Sequence, residues 1–258
     1  VGRSIDEFYP ARTTTPGDVV MNVDNLKPEG FDNDISFSLR KGEILGVAGL
    51  MGAGRTEIMR AIFGVDKHNG GTVTVNGSVL NCKKPEDAIK AGIAFITENR
   101  KSEGLILDFS IGSNITLPNL GEICPSHVLD KGKLNSFADE LSKKLSVKTQ
   151  SIHEPASSLS GGNQQKVVIA KWVGKKPSII IMDEPTRGID IGAKRDIYDL
   201  MNELTNDGVS IIMVSSELPE VLGMSDRVMV IHEGRVAGIL DRNEATPESI
   251  MTLATGGQ

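Results

Sequence analysis

The chain is short of cysteine, of long apolar runs and of surplus positive charge, and each shortage removes a class of function. Among its 258 residues are two cysteines, Cys82 and Cys124, with no C-x-x-C spacing. Such a pair builds neither a disulfide framework nor a zinc site, and a reducing, cytoplasmic setting suits it best. No stretch reaches the roughly 18 uninterrupted apolar residues of a membrane span, and the start Val1-Gly2-Arg3-Ser4 lacks the apolar core of a signal peptide. Any membrane role would therefore be peripheral. The 28 basic residues are outnumbered by 34 acidic ones, giving a net charge of -6 without a dense basic block, which argues against a nucleic-acid partner. Residues 1–17 lack an initiating methionine, are polar and proline-punctuated, and end in Thr15-Pro16-Gly17. They read as a linker cut from something longer. Neither an internal repeat nor a low-complexity tract is present.

What is there is alternating strand and helix patterning. Val19 to Val23, Ile35 to Leu39 and Ile44 to Ala48 are β-branched and apolar with polar alternation, as short strands require. A helix is expected from Thr56 to Phe63, stopped by Gly64. Thr72 to Leu80 reads as a hairpin turning at Asn76-Gly77, a strong short-range hairpin signal. A helix over 85–91 leads into a strand at Ile93 to Ile96. Residues 98–158 then change to polar loops and helices, an inserted, mainly helical subdomain. From Gly161 the order is helix, strand (Ser178 to Met182), helix (Ala193 to Thr205), strand (Val209 to Val214), helix, strand (Arg227 to Ile231). This alternation specifies a parallel sheet covered by helices.

Three short segments carry the chemistry. Gly49-Leu50-Met51-Gly52-Ala53-Gly54-Arg55-Thr56 follows an apolar strand and opens a helix, so consecutive backbone N–H groups and the helix N-terminus would face an anion. Thr56 would place its hydroxyl on magnesium. The pattern G-x-x-x-x-G-K-[ST] fails only at Arg55, where lysine is expected, and an ordinary glycine-rich turn stays open from this segment alone. Asp183-Glu184 leave the carboxyl end of the buried strand Ile179 to Met182, where ligands of open α/β sheets bind. Asp183 would hold magnesium through water and Glu184 would polarise the attacking water, unless these acids merely face solvent or cap the next helix. Leu159-Ser160-Gly161-Gly162-Asn163-Gln164-Gln165 opens an apolar helix with free N–H groups and a hydroxyl, able to meet a second anion. The histidines His68, His127, His153 and His232 are scattered and read as structural. Trp172 reads as a core residue.

Together these segments resemble the ATP-binding cassette ATPases, over essentially the whole chain. Gly49 to Thr56, Thr97-Glu98-Asn99-Arg100-Lys101, the Leu159 to Lys166 run, Asp183 to Asp190 and Val214-Ser215-Ser216-Glu217 are similar to the C-terminal cassette of the tandem ATPases that energise bacterial monosaccharide importers of the ribose and galactose type. Even Val1-Gly2-Arg3 resembles the segment joining the two cassettes there. The resemblance implies an α/β P-loop NTPase of the cassette type, with an antiparallel β subdomain, a helical subdomain over about 98–158, a linker at 1–17 and the cassette proper at 18–258. It implies ATP and Mg2+ as ligands, and an N-terminal sister cassette and a membrane permease as partners. Indirectly it implies a periplasmic or extracellular sugar-binding protein, with the assembly peripheral on the cytoplasmic face of the bacterial membrane.

In that family each nucleotide is sandwiched between two cassettes, so the motifs of one chain serve different sites. Gly49, Met51, Gly52, Ala53, Gly54, Arg55 and Thr56, with Asp183 and Glu184, would serve the chain's own site. Ser160, Gly161 and Gly162 would contact the γ-phosphate held by a partner, and Asp190 matches the loop that communicates between sites. Departures from the family pattern fall on the first set. Arg55 replaces the lysine, and a planar guanidinium approaches phosphate differently from a compact ammonium. Glu98 stands where the family has a glutamine near magnesium, adding negative charge. Ser216 occupies the switch-histidine position, though it would also serve as a cap for a helix beginning at Glu217. The expectation is a degenerate own site, weak or inactive in isolation, and an intact signature motif at Leu159 to Gln165. The intact backbone cradle leaves nucleotide binding open, and Glu184 leaves weak turnover open. Two other readings are a non-hydrolysing nucleotide sensor and a soluble cassette ATPase of DNA repair or translation. The latter is disfavoured by the missing coiled-coil arms and basic extensions.

Overall fold

A computed structural model describes residues 8–125 and 128–257. In chain order the strands are β1 (Val19–Leu26), β2 (Ile35–Arg40), β3 (Ile44–Gly49), β4 (Thr72–Val75), β5 (Ser78–Leu80), β6 (Ile93–Ile96), β7 (Ile179–Asp183), β8 (Ser210–Val214), β9 (Arg227–His232) and β10 (Arg235–Asp241). The α-helices are α1 (Arg55–Phe63), α2 (Pro85–Lys90), α3 (Ile111–Thr116), α4 (Leu120–Ile123), α5 (Lys131–Lys144), α6 (Gly161–Val173), α7 (Ile191–Asn206), α8 (Leu218–Met224) and α9 (Pro247–Ala254). They divide into two compact units. One takes the chain up to Phe95 with Ser178–Glu184 and everything from Met201; the other comprises Ile96–Pro177 and Pro185–Leu200.

The first unit holds two sheets. The antiparallel one has the order β2-β1-β4-β5. Met21 and Val23 of β1, and Ile35, Phe37 and Leu39 of β2, alternate into the core, which is the period-2 pattern the sequence shows. The turn between β4 and β5 puts Asn76 at φ 48 and Gly77 at φ 79, the left-handed pair that closes a tight hairpin without splaying its strands. The second sheet has the order β10-β9-β3-β8-β7-β6. Here β3 runs parallel to both β8 and β9, and β7 parallel to β8. Every residue of β7 and β8 is buried, which is why they read as unbroken apolar runs. The loops after β3, β7 and β8 therefore leave at the carboxyl ends of neighbouring parallel strands, and this places the site.

The structure adds two elements beyond those read from the sequence. An antiparallel strand, β10, returns along β9 after a turn at Glu233 (φ 45) and Gly234 (φ 71). Its residues are half-buried without clear alternation, so it carries no strong pattern. Thr246 and Ser249 then form a reciprocal capping box, with Pro247 in the first turn of α9, and Ile250 and Ala254 seat this helix on Ala48, Val228 and Val230.

From Phe8 the N-terminal segment is anchored on this unit. Arg12 donates to both carboxylate oxygens of Asp226 at 3.1 and 2.8 Å, to Asn202 at 2.6 Å, to Thr205 at 2.8 Å and to the Gly42 carbonyl at 3.1 Å. Val1-Gly2-Arg3 lie outside the described residues.

The second unit is helical and extends beyond residues 98–158, taking in α6 and the start of α7. Helices α3, α5 and α6 pack on one another through Ile111, Ile115, Ala138, Leu141, Val167 and Val168. A Cβ on Gly174 would lie 2.9 Å from the Phe137 ring, so the end of α6 approaches α5 too closely for a side chain. Trp172 is a correction to the sequence reading: it is half-buried, as are Lys171 and Val173 beside it. The last turn of α6 emerges from the packing, and the Lys171 ammonium lies 5.6 Å from the Trp172 ring centre. Among the described residues no helix is long and apolar enough to cross a membrane.

Candidate functional site

The loop after β3 is shaped by glycine where glycine is needed. Gly54 sits at φ 98 and starts α1 as its N-cap, and a Cβ there would strike the Phe31 ring at 2.7 Å. Gly52, at φ 79, has open space where its Cβ would stand, so the rim of the loop is free for a ligand. Ala53 fixes the curl, donating to the Leu50 carbonyl at 3.1 Å and accepting from Gly234 at 2.9 Å. Met51 is 97% exposed. The first N–H groups of α1 have no intrahelical acceptors, so the loop and helix start form a cradle for a polyphosphate. Phe31, which packs over this turn, carried no sequence signal.

Thr56 donates its hydroxyl to Asp183 Oδ2 at 2.8 Å. A hydroxyl and a buried carboxylate at the strand end are the hard oxygen donors magnesium takes, and these two residues fit the ion. Arg55, by contrast, donates from Nη1 to the Ser215 backbone carbonyl at 2.7 Å. The guanidinium spends a donor on the chain itself.

Glu184 occupies a left-handed backbone conformation, φ 48, held by its N–H donating to Val214 O at 2.9 Å. Burial pushes its carboxyl upward, opposed by a hydrogen bond from the Ser216 hydroxyl and by the charge of Arg55. The first unit thus assembles Gly49 to Thr56, Asp183, Glu184 and Ser216 at one end of its sheet. Ser216 is not the helix cap: α8 begins at Leu218 with Glu217 as N-cap and no side-chain cap bond. The local bond comes from Ser215, whose Oγ accepts from Glu217 N at 3.0 Å.

In the second unit Ser160 precedes α6 in extended conformation and makes no side-chain cap bond. Its orientation is set by Asn163. Lys148 N donates to Asn163 Oδ1 at 2.8 Å, which fixes the amide's sense, and Asn163 Nδ2 then donates to Ser160 Oγ at 3.0 Å. Ser160 is an acceptor in that bond, so its own proton is available to an incoming anion. Gly162 is required by contact: a Cβ there would lie 2.5 Å from the Ala193 Cβ. Asp190 caps α7, accepting from Ala193 N at 2.9 Å. Glu98 is ion-paired with Arg187, a partner the sequence gives no reason to choose.

His68 Nδ1 pairs with Gly70 O and His232 Nδ1 with Ala254 O. His153 bonds through its backbone to Ser151, and His127 lies outside the described residues. No cluster of three potential metal-binding side chains occurs among the described residues.

A phosphate cradle, a Thr–Asp pair and a strand-end glutamate on a parallel sheet define a P-loop nucleotide-binding α/β domain. Residues 33–187 match the family model "ABC transporter". The chain is 61% identical over 257 residues to the ribose import ATP-binding protein RbsA of Oceanobacillus iheyensis, covering 100% of this chain and 52% of that protein. It is 58% identical over 258 residues to the protein of that name from Bacillus subtilis, with the same coverage. The chain spans about half the length of the curated relatives it matches. Among solved structures it is similar to the ADP conformation of MJ1267, an ATP-binding cassette of an ABC transporter, with a TM-score of 0.74 at 22% identity, covering 92% of this chain and 95% of that one. A nucleotide-free cassette from an ABC transporter gives a TM-score of 0.76 at 20% identity, covering 91% and 95%. The chain belongs to the ABC transporter ATPase family.

Proposed function

We propose that this chain is the weakened cassette of a tandem sugar-import ATPase, whose main contribution is its signature helix. Ser160, Gly161 and Gly162 complete an ATP site on a sister cassette, joined through residues 1–17, and hydrolysis there proceeds by in-line attack of water on the γ-phosphate. The permease docks on the helical unit at the cytoplasmic face of the membrane, and ribose or a related monosaccharide reaches it from a sugar-binding protein. The observation that carries the reading is the contrast between Arg55, which donates to Ser215 O, and Ser160, whose hydroxyl is held ready by Asn163.

In the chain's own site Thr56 and Asp183 would hold magnesium, which when bound neutralises phosphate charge. The cradle binds ATP or ADP, and Glu184 orients water. With a guanidinium in place of the lysine ammonium and its Nη1 engaged by Ser215 O, the donor aimed at developing charge is displaced, and loss of such a donor is typically worth roughly a hundred- to a thousand-fold in rate. Ser216 offers Glu184 a hydroxyl but has no reach to a γ-phosphate comparable to an imidazole. Glu98 is ion-paired with Arg187, which offsets its charge.

The test is magnesium-ATP binding and turnover by the chain beside an Arg55→Lys, Glu98→Gln, Ser216→His variant. Binding without measurable turnover in the native chain, with hydrolysis in the variant, is the expected result. Ordinary cassette turnover by the native chain would show Arg55 to be a working substitute for lysine.

A further inference from the structure

Three segments far apart in sequence meet at the Arg100 guanidinium within the helical unit. Nη1 donates to the Arg187 carbonyl at 2.5 Å and Nη2 to the Gly188 carbonyl at 2.9 Å. On its other side stands Gly161, where a Cβ would lie 2.7 Å from Nη2 and 3.1 Å from Gly188 O. The guanidinium therefore fills the space that the missing side chain of the signature glycine leaves. Burial pushes its pKa below the ordinary value, and its buried Nε–H meets no acceptor among the described residues. Among the described residues no carboxylate pairs with Arg100. Its two bonds go to neutral carbonyls of one loop, which is an arrangement for holding backbone rather than for pairing charge.

The base of this side chain is itself fixed. Residues Arg100–Gly104 form a single π-helical turn begun by Asn99, whose side chain accepts from Ser102 N. Gly104 ends that turn against α6: its carbonyl accepts from the Lys171 ammonium, and a Cβ there would meet Val168 at 3.1 Å. Arg187 is gripped twice, at its carbonyl by Arg100 and at its side chain by Glu98. The exposed Glu98–Arg187 pair adds little by itself, being screened by solvent. The half-buried Arg100 fork is the stronger tie, since bonds from a charged donor are roughly twice as strong as neutral ones.

We propose that Arg100 is a positioning residue for the signature site: it locks the Ser160-Gly161 turn and the loop Pro185–Asp190 into one geometry. The two surfaces that would face a sister cassette then move as one body. This rests on the reading that the signature completes a partner's ATP site. A lysine in its place would not suffice, because one ammonium lacks the planar fork that spans two successive carbonyls.

The first experiment needs no partner. Hydrogen exchange in the chain should show the amides of Gly188 to Asp190 and Gly161 to Asn163 speeding up together in Arg100→Ala, on the order of tenfold, with β3 and β8 unchanged as the control for folding. Arg100→Lys should recover only part of the protection. Unchanged exchange in either segment, or full recovery with lysine, would overturn the proposal.

The second experiment uses the full two-cassette polypeptide with its permease, with Ser160→Ala as the reference. Arg100→Ala should lower kcat on the order of ten- to a hundred-fold, as small misplacements of a reacting geometry do. KM for ATP should stay within about twofold, because Arg100 spends its bonds on the Arg187 and Gly188 carbonyls. If Ser160→Ala abolishes activity while Arg100→Ala retains it, the positioning role is wrong and the signature reading stands. If Ser160→Ala is itself active, the signature reading fails and the proposal with it.

Discussion

The phosphate loop and the signature turn use one device, glycines leading onto a helix N-terminus, yet differ in what their side chains do. In the phosphate loop the backbone is intact: Gly54 is held at φ 98 under Phe31, and Thr56 meets Asp183. Its one cation, however, donates to the Ser215 carbonyl. At the signature turn three side chains are set against it: Asn163 orients the Ser160 hydroxyl, Arg100 backs Gly161, and Ala193 packs on Gly162. On the proposed reading a nucleotide cradle and a catalytic site are separable. The cradle is made by conformation and survives substitution of side chains, whereas acceleration depends on donors aimed at developing charge.

If the weakness of the first region lies in its chemistry rather than its scaffold, that scaffold should be firmly built, and Arg12 provides the largest test. Its side chain is 6% exposed and that of Asp226 is 12% exposed. Arg12→Ala would leave a buried carboxylate uncompensated and should cost about 3–5 kcal/mol in urea denaturation. A cost below about 1 kcal/mol, the range of a surface pair, would mean that the segment after Phe8 is only loosely attached.

The second test presses on the signature side. Gly162→Ala would place a methyl 2.5 Å from the Ala193 Cβ and should destabilise the helical unit by about 1–3 kcal/mol through overpacking. A neutral result in thermal unfolding would show that α6 and α7 have room to part, and that the signature is less tightly specified than the phosphate loop.

The third asks whether Asn163 tunes Ser160. Asn163→Leu removes the bonds to Lys148 N and Ser160 Oγ and should slow the assembled ATPase by about two- to tenfold, the value of one neutral hydrogen bond. Unaltered kcat would leave the hydroxyl's orientation irrelevant.

The smallest effect concerns Glu184, and its sign is set by burial. Burial raises the folded carboxyl above its ordinary 4.5, so the native state keeps a proton that the unfolded chain releases. Its contribution is present below 4.5 and is lost as pH rises through the folded value. Glu184→Gln should therefore raise Tm at neutral pH, and the gain should shrink as pH falls toward 4.5. A gain independent of pH would mean that protonation of this carboxyl does not set the effect.

Much of this was legible in the sequence because it rests on local pattern. The strands β1 to β3 and β6 to β9 announce themselves by alternation or by apolar runs, and Asn76-Gly77 by the one turn that suits it. The helix read from Thr56 begins one residue earlier, at Arg55, and its stop at Gly64 follows from glycine. What was hidden depends on distant approach. Nothing in Phe31 says that it roofs Gly54, in Arg100 that it fills the space at Gly161, or in Arg12 that it reaches Asp226 from 214 positions away. Ser216 read as a cap because serine before a helix commonly is one, but the helix starts two residues later, at Leu218, and the local bond to Glu217 N falls to Ser215. Trp172 read as core because large aromatics usually are buried, but it falls in the last, emerging turn of α6.

The central claim is that the two regions serve different sites with unequal activity, and the direct measurement is ATP turnover by the two-cassette polypeptide in its assembly, carrying either Ser160→Ala or Arg55→Ala. The account predicts a loss on the order of a hundred- to a thousand-fold for Ser160→Ala, the cost of one donor aimed at developing charge. Arg55→Ala should change the rate by less than about threefold, since a side chain already committed to a backbone carbonyl adds little to the transition state. Equal and large losses from both substitutions would contradict it, for they would mean that this chain's own phosphate loop turns over ATP alongside its sister's.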